Sequence, residues 1–201
     1  SPEDAVKLSA QPADGQKAHA LLKKIFRSGH HSIFEHISFS FAIKGISRAC
    51  SHQLVRHRIA SFSQQSQRYV NYEQPQFILP PSIEAREQWR GQYENAFEQL
   101  TELYKKLIDA GIPAEDARFV LPNATAATLV MTMNFRELME VSRIRLCYRA
   151  QWEILALFQQ IKQEMTDFSP FLATFLQPKC VHDGRCTEMQ PCAQKPFLKN
   201  R

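Results

Sequence analysis

The middle of the chain carries a long amphipathic pattern that constrains the fold more than any other feature of the sequence. Large apolar side chains recur there at intervals of three and four residues, the spacing that places them on one face of an α-helix. They are Trp89, Tyr93, Phe97, Leu100, Tyr104 and Leu107. The pattern predicts a helix over about 82–110 that is ended by Gly111 and Pro113. With 201 residues, 44% of them hydrophobic, the chain has the size of one compact domain with a buried core.

Shorter patterns precede this helix. Helical spacing over 14–27, followed by Gly29 as a C-cap, predicts a first helix. Apolar and polar residues alternate over 37–43, which is the pattern of a half-buried strand. Gly45 is then expected to turn the chain into a second helix over about 46–57.

A strand and a capped helix are predicted beyond the long helix. The strand covers 128–133, and Asn134 with Glu137 three residues later has the form of an N-cap that opens a helix. One face of that helix is expected to carry Leu138, Val141, Arg145, Tyr148, Trp152 and Leu155. Arg145 thus lies in an apolar stripe, where an unpaired guanidinium is strongly unfavourable. It requires an anion, which is either an internal carboxylate in a structural salt bridge or a ligand.

Helices and strands alternate without a regular βαβ repeat. The predicted fold class is therefore α+β, a single domain with an antiparallel or mixed sheet flanked by long helices. No apolar run approaches the ~20 residues that cross a bilayer, and residues 1–10 do not resemble a secretory signal, so we expect a cytoplasmic protein with no membrane partner. Five cysteines do not form the dense framework of a secreted scaffold, and reduced thiols are expected. The net charge of +5 favours anionic partners without separating nucleotides from nucleic acids.

The densest chemistry lies in the segment 53–69. Its 17 residues contain three arginines, one histidine, three serines and four glutamines. Arginine forks match phosphate oxygens, while serine and glutamine can hydrogen-bond the polar edges of a base or ribose. The segment suits a phosphorylated nucleoside. A solvated polar loop is the alternative, but here the charges interrupt an apolar helix rather than extend a tail.

Two groups of residues raise the question of a metal. His30, His31 and His36 surround the turn into the first strand, but their spacing does not converge on one point. The C-terminal segment 178–201 has Cys180, Cys186 and Cys192 at six-residue intervals, wider than a usual zinc knuckle. We expect no metal at either place, and a loose reduced tail at the second.

The chain resembles the flavin-dependent thymidylate synthases. The signature is Arg56-His57-Arg58, then seven residues, then Ser66, inside the longer run Gln65-Ser66-Gln67-Arg68-Tyr69. Further similar stretches follow in family order over about 15–177. They are 34–36, 47–50, 118–122, 134–136 and 145–153. The matching part, with the residues before it, is expected to form one synthase domain over 1–177.

The resemblance implies an α+β homotetramer whose active sites draw residues from several subunits. It implies two sets of binding residues. FAD would be held by Ser32, Arg56, His57, Arg58, Asn134 and Arg136. The substrate dUMP would be held by Gln53, Arg56, Gln64, Gln65, Ser66, Gln67, Arg68, Arg118 and Arg145. Of these, Arg68 and Arg118 suit the 5′-phosphate, and Arg145 would be catalytic, because it pairs with the uracil and favours its ionisation at N3.

The implied reaction makes dTMP from dUMP. NADPH or NADH reduces the flavin, methylenetetrahydrofolate supplies the carbon unit, and the reduced flavin provides the hydride. Ser66 is expected to position dUMP rather than attack it. Cys50 and Cys147 lack a neighbouring base, so neither is expected to be a nucleophile.

The sequence departs from the family pattern at several places. The strand and helix that usually precede the first helix in the family are expected to belong to N-terminal sequence missing here. Gln64 stands where some members carry a glutamate, and Glu140 stands where a histidine or asparagine commonly approaches the flavin. Two other functions compete with the synthase: a basic nucleic-acid-binding module, which we do not favour, and a nucleotide-binding flavoprotein with another transfer reaction.

Overall fold

The computed structural model of the protein describes residues 15–69 and 75–192, so the expectations for residues 1–14 lie outside the described residues. The helices are α1 (Gly15–Arg27), α2 (Arg48–Leu54), α3 (Pro81–Glu84), α4 (Glu87–Asp109), α5 (Ala114–Ala117), α6 (Phe135–Arg145), α7 (Trp152–Phe168), α8 (Pro170–Ala173) and α9 (Lys179–His182). Short 3₁₀ turns cover His31–His36 and Arg118–Val120. The strands are β1 (Ser38–Ser47), β2 (Ala60–Gln64) and β3 (Ala126–Asn134).

The three strands form one antiparallel sheet in the order β1-β3-β2. One face of the central strand is buried, because Leu129, Met131 and Met133 all lie in the core. The alternate residue Val130 is 45% exposed on the opposite face. This alternation is that of a sheet with helices packed on one side. The fold is therefore a single α+β domain, as predicted.

Helices α2, α6 and α7 bury their apolar faces with the covered side of the sheet. The largest fully buried members of the core include Phe34, Leu54, Met131, Phe135, Leu138, Ile154, Phe158, Met165 and Leu176. Within the described ranges, no helix is both long enough and apolar enough to cross a membrane.

The prediction at Gly45 was wrong. The chain does not turn there, but continues in β1 to Ser47, with an irregular register between Lys44 and Ile46 opposite β3. Gly45 accommodates this bulge with a φ of 76°, a backbone region that glycine adopts without strain. Helix α2 begins only at Arg48, and the Ser47 hydroxyl caps it by accepting a hydrogen bond from the Cys50 amide at 3.0 Å.

The long helix is confirmed over most of its length, but its predicted start was wrong. Arg86 is extended, with φ of −129° and ψ of 95°, and this separates the short α3 from α4. Phe97 and Tyr104 are buried on the inner face of α4, as the spacing predicted. Trp89 from the same predicted stripe is 53% exposed.

The stripe after Asn134 is only partly correct. The cap is confirmed, because Asn134 Oδ1 accepts a hydrogen bond from the Glu137 amide at 2.8 Å. However, α6 ends at Arg145, and a non-helical segment over 146–151 leads to α7, whose own cap is Gln151. Tyr148 therefore does not continue the apolar face, and it is 53% exposed.

Candidate functional site

Arg145 lies in the last turn of α6 and meets the chain that leaves α2. Its Nε donates a hydrogen bond to Nε2 of His57 at 2.9 Å, and its Nη2 donates to the backbone oxygen of Gln53 at 3.3 Å. An imidazole nitrogen accepts a hydrogen bond only when it is unprotonated, so His57 is neutral and has its proton on Nδ1. The structure thus brings together three of the predicted site residues.

This guanidinium is half-buried without a counter-ion. Neither of its hydrogen-bond partners is charged, and among residues 15–69 and 75–192 no carboxylate forms an ion pair with it. Burial lowers the pKa of Arg145, and burial together with the nearby Arg145 charge lowers the pKa of His57. The internal salt bridge considered for Arg145 is absent from this part of the chain. The site therefore presents a fixed positive charge that an anionic ligand would stabilise.

A second group lies beyond β2, where Arg68 and Arg118 share one glutamate. Arg68 Nε donates to Glu115 Oε2 at 2.5 Å, and Arg118 Nε donates to the backbone oxygen of Glu115 at 3.0 Å. The Ser66 hydroxyl accepts a hydrogen bond from the Arg68 amide at 3.1 Å, which orders the loop between them. The two arginines predicted for the phosphate are therefore neighbours, although they are separated by 50 positions in the sequence.

A third group lies at the opposite end of β2. Arg136, at the start of α6, pairs with Glu35 of the first 3₁₀ turn. Asn134 ends β3, and its neighbour Met133 pairs with Ala60, the first residue of β2. The register therefore brings the chain just after Arg58 beside Asn134. The cap uses only the oxygen of the Asn134 amide, and among the described residues its two N–H donors have no hydrogen-bond acceptor, so they remain available to a ligand.

Strand β2 separates the two outer groups. It has five residues, and at about 3.3 Å per residue its ends are roughly 13 Å apart. Its last residue, Gln64, donates a hydrogen bond to the hydroxyl of Ser51 on α2 at 3.3 Å. Helix α2 thus contacts the end of β2 through Ser51 and the Arg145 group through Gln53.

The remaining predicted site residues differ in their exposure to solvent. Ser32, Arg56, Arg58 and Gln65 are exposed, while Gln67 is buried at 8% exposure. Two cavities of the described chain, of about 840 and 350 Å³, are lined by neither Arg136 nor Arg68.

A buried carboxylate holds the residue that caps α2. Glu153 on α7 accepts hydrogen bonds from both the amide and the hydroxyl of Ser47, at 2.5 and 2.6 Å. Burial and the Glu153 charge raise the pKa of the adjacent Cys50 thiol to about 12, although Arg145 acts in the opposite direction. The thiol is therefore protonated near neutral pH, in agreement with the expectation that it is not a nucleophile.

Sequence reasoning missed three supporting acids. Glu35, Glu115 and Glu153 were not predicted as site residues, although they contact Arg136, Arg68 and the Ser47 cap of α2. Glu115 and Glu35 contact arginines far away in the chain, and no local pattern indicates such a partner. Glu153 had no local signal either, since it follows Trp152 of the predicted stripe by one position, about 100° away around a helix, where a solvent-exposed side chain is expected.

The predicted histidine and cysteine groups have other surroundings. The ring of His31 stacks on Phe26 and its Nε2 contacts the Phe26 backbone oxygen at 3.1 Å. Cys180, Cys186 and Cys192 line one cavity with Cys147, and none is in a disulfide. Across the described parts of the chain, no set of three or more acidic, histidine or cysteine side chains is arranged to hold a metal ion.

The fold and the three groups define an α+β protein with several clusters of cationic and amide donors, which is typical of proteins that bind phosphorylated ligands. A model of the family described as thymidylate synthase complementing protein matches residues 1–171. The chain belongs to this family, the flavin-dependent thymidylate synthases.

Several curated proteins named flavin-dependent thymidylate synthase are similar to this chain. The protein from Geobacter sulfurreducens is 48% identical over 171 residues, which cover 84% of this chain and 73% of that protein. The protein from Pyrococcus abyssi is 42% identical over 197 residues, covering 94% and 80%. The protein from Nitratidesulfovibrio vulgaris is 42% identical over 195 residues, covering 92% and 80%. The predicted family and the enzyme class, an FAD-dependent thymidylate synthase, are confirmed.

Proposed function

We propose that this chain converts dUMP to dTMP by reductive methylation. In this proposal the three groups described above bind the dUMP phosphate, bind FAD and activate the uracil. The observation that carries this proposal is the half-buried Arg145, whose charge has no acidic partner in the described residues. Its N–H groups donate hydrogen bonds only to two neutral acceptors, the His57 nitrogen and the Gln53 backbone oxygen. A uracil that loses its N3 proton is an anion of the kind this group would stabilise.

The substrate dUMP is assigned to the residues around α2 and beyond β2. Arg68 and Arg118 bind the 5′-phosphate, since both guanidinium groups hydrogen-bond Glu115, one at its carboxylate and the other at its backbone oxygen. Ser66 positions the nucleotide, because its hydroxyl accepts a hydrogen bond from a backbone amide and is hydrogen-bonded to no base among residues 15–69 and 75–192. The polar edges of the base and ribose are assigned to Gln53, Arg56, Gln64, Gln65 and Gln67.

The donors at the other end of β2 fit FAD. Arg56 and Arg58 are exposed guanidinium groups suited to a diphosphate, and the Asn134 amide keeps two donors for a ring edge. Ser32, His57 and Arg136 complete the assigned set. When bound, FAD supplies the hydride after reduction by NADPH or NADH, and methylenetetrahydrofolate supplies the one-carbon unit.

The protein's own contribution is binding, orientation and charge. Arg145 stabilises the negative charge that remains on the uracil when N3 loses its proton, and so it favours the ionised ring, which is the better nucleophile. His57 holds the guanidinium in orientation through a hydrogen bond of 2.9 Å. A fixed donor acts without reorganisation when the charge develops, and this makes its effect on the rate large.

A homotetramer with shared active sites is part of the proposal. Its support is the exposure of Ser32, Arg56 and Arg58, together with two aromatic residues that flank the phosphate arginines. Phe119 is 81% exposed and Tyr69 is 77% exposed, a degree that a partner subunit would reduce. Light scattering on the purified protein tests this part, and a monomer at all concentrations would contradict it.

The test of the function is dTMP formation by purified protein given dUMP, methylenetetrahydrofolate, FAD and NADPH. Parallel reactions without FAD or without the folate serve as controls, and NADH in place of NADPH measures the preference. A protein that reduces FAD but makes no dTMP would indicate another flavin reaction. Protein that binds no flavin but binds DNA duplexes with steep salt dependence would indicate the nucleic-acid module.

We also assign the synthase domain to 1–177 and the cysteine-containing tail to 178–201, and infer a cytoplasmic location. The support for the location is the arrangement of the five cysteines, which is that of a protein from a reducing compartment.

A further inference from the structure

A cavity of about 840 Å³ lies between the C-terminal end of α6, the segment 146–151, α7 and the tail after Gln177. It is lined by more positive than negative side chains. The cations are Arg143, Arg145, Arg149, Lys162 and Lys179, and the carboxylate is Glu188. This cavity is larger than one phosphate or one carboxylate needs, and its charge favours a ligand with several anionic groups.

Arg143 pairs with Glu140 and Asp183, and Arg149 approaches Glu188, but Lys162 brings a charge that the described residues do not neutralise. Its ammonium group is half-buried and donates to the neutral amide oxygen of Gln177 at 3.3 Å. No acidic side chain among the described residues forms an ion pair with it, and burial lowers its pKa. An ammonium group that has lost water without gaining an anion is stabilised by any ligand that supplies one.

The cavity also adjoins the Arg145 site. A smaller cavity of about 350 Å³ is lined by His57, and Arg143, Ile144 and Lys179 line both cavities. Arg145 itself contacts the larger one. A ligand that extends from the large cavity would therefore reach the residues assigned to the chemistry.

We propose that this cavity binds the anionic end of a co-substrate, either the phosphates of the reduced nicotinamide dinucleotide or the glutamate carboxylates of the folate. The proposal rests on the proposed function, which requires both molecules and leaves both without assigned residues. The segment from Pro178 to Cys192 is then part of the wall of a binding site, because several of its residues line the cavity.

The test is the binding of two probes that are not turned over, inorganic tripolyphosphate and tri-γ-glutamate, to the FAD-loaded protein by titration calorimetry. Lys162→Met keeps the apolar stem and removes the charge, and Lys105→Met on the exposed side of α4 is the matched control. We expect Lys162→Met to weaken one probe about tenfold, as for loss of one charge-assisted hydrogen bond. A loss for tripolyphosphate identifies the dinucleotide, and a loss for tri-γ-glutamate identifies the folate.

Lys179→Met provides a second variant if Lys162→Met melts at a lower temperature than the control, since Lys179 is exposed on α9. The proposal is overturned if neither probe binds the wild-type protein, or if both bind all variants equally. Because the probes are not substrates, these results are independent of dTMP formation. A protein that binds a probe through Lys162 but makes no dTMP would refute the proposed function and leave the anion site intact.

Discussion

Arg145 and His57 are joined by a hydrogen bond of 2.9 Å in which the guanidinium donates and the imidazole accepts. The bond exists only while His57 is neutral, so the protonation state of one residue controls the orientation of the other. The two residues come from different parts of the chain, the segment after α2 and the end of α6, and the bond therefore also ties these elements together.

The first prediction concerns the pH dependence of this contact. Burial and the Arg145 charge lower the pKa of His57 from its ordinary value of 6.5. Above that value the residue is neutral in both the folded and the unfolded chain, and its contribution to stability is fully present. As the pH falls below it, the unfolded chain binds the proton first, so the free energy of unfolding decreases until the folded pKa is passed.

The measurement is urea unfolding between pH 8 and pH 5 for the wild-type protein and His57→Gln. Glutamine keeps an acceptor but does not titrate, so the variant serves as the control for all other groups. We expect the wild-type stability to fall more steeply below about pH 6.5. If the free energies of unfolding of the two proteins changed with pH in parallel, His57 would have the same pKa in the folded and the unfolded chain.

The second prediction is that Arg145→Lys remains folded and flavin-bound but loses turnover by ~10²-fold or more, as for removal of one oriented donor. Lysine keeps the charge but cannot donate to His57 and Gln53 with the planar geometry of the guanidinium. The measurements are dTMP formation at saturating dUMP, thermal melting and the flavin spectrum. Arg90→Lys, an exposed ion-paired position on α4, is the control. Normal turnover would show that Arg145 is not the activating residue, and unfolding would show that its role is structural.

The third prediction is that the Cys50 thiol is unreactive in the folded protein. With a pKa of about 12, less than about one thiol in a thousand is ionised at pH 8, and the side chain is fully buried. Treatment with iodoacetamide at pH 8 should label Cys50 only after unfolding in urea, as read by peptide mass. Cys192, which lines the large cavity, provides the comparison within the same sample. Labelling of Cys50 at the rate of Cys192 would contradict the buried placement.

Much of the fold could be predicted from local patterns, and the exceptions have a common cause. The strand ending in the Asn134 cap and the long helix are visible in the sequence, because their periodicity and end signals are local. The extension of β1 through Gly45 and the existence of β2 are not visible, because both depend on pairing with β3. A glycine that looks like a helix start is then a bulge in a strand.

The same distinction applies to the site. The arginines and glutamines after α2 stood out by composition, and Arg145 stood out because it interrupts an apolar stripe. How these residues group in space could not be predicted from the sequence. The contact of Arg68 with Glu115 joins residues 47 positions apart, and that of Arg145 with His57 joins residues 88 positions apart. Residue types indicate which chemistry is available, whereas the sheet register decides which side chains share a ligand.

The fourth prediction concerns Glu153, the buried acid that connects α7 with the junction of β1 and α2. It accepts two short hydrogen bonds from Ser47, and Ser47 in turn caps the helix that carries Gln53. Glu153→Ala would leave the amide and hydroxyl of Ser47 without an acceptor in a dry environment, which costs about 1–3 kcal/mol in the free energy of unfolding.

Glu153→Gln is the informative intermediate. Its amide oxygen can still accept from one Ser47 group, but its N–H₂ group faces the other, so its destabilisation should lie between that of Glu153→Ala and no effect. Glu164→Ala on the same helix is the matched control, since Glu164 is exposed and pairs only with Gln160 four residues earlier among the described contacts. Urea unfolding should therefore rank the variants with Glu164→Ala most stable and Glu153→Ala least. If Glu153→Gln were as stable as the control, the negative charge of Glu153 would not contribute to the free energy of unfolding. The Ser47 hydroxyl would then cap α2 without needing that charge.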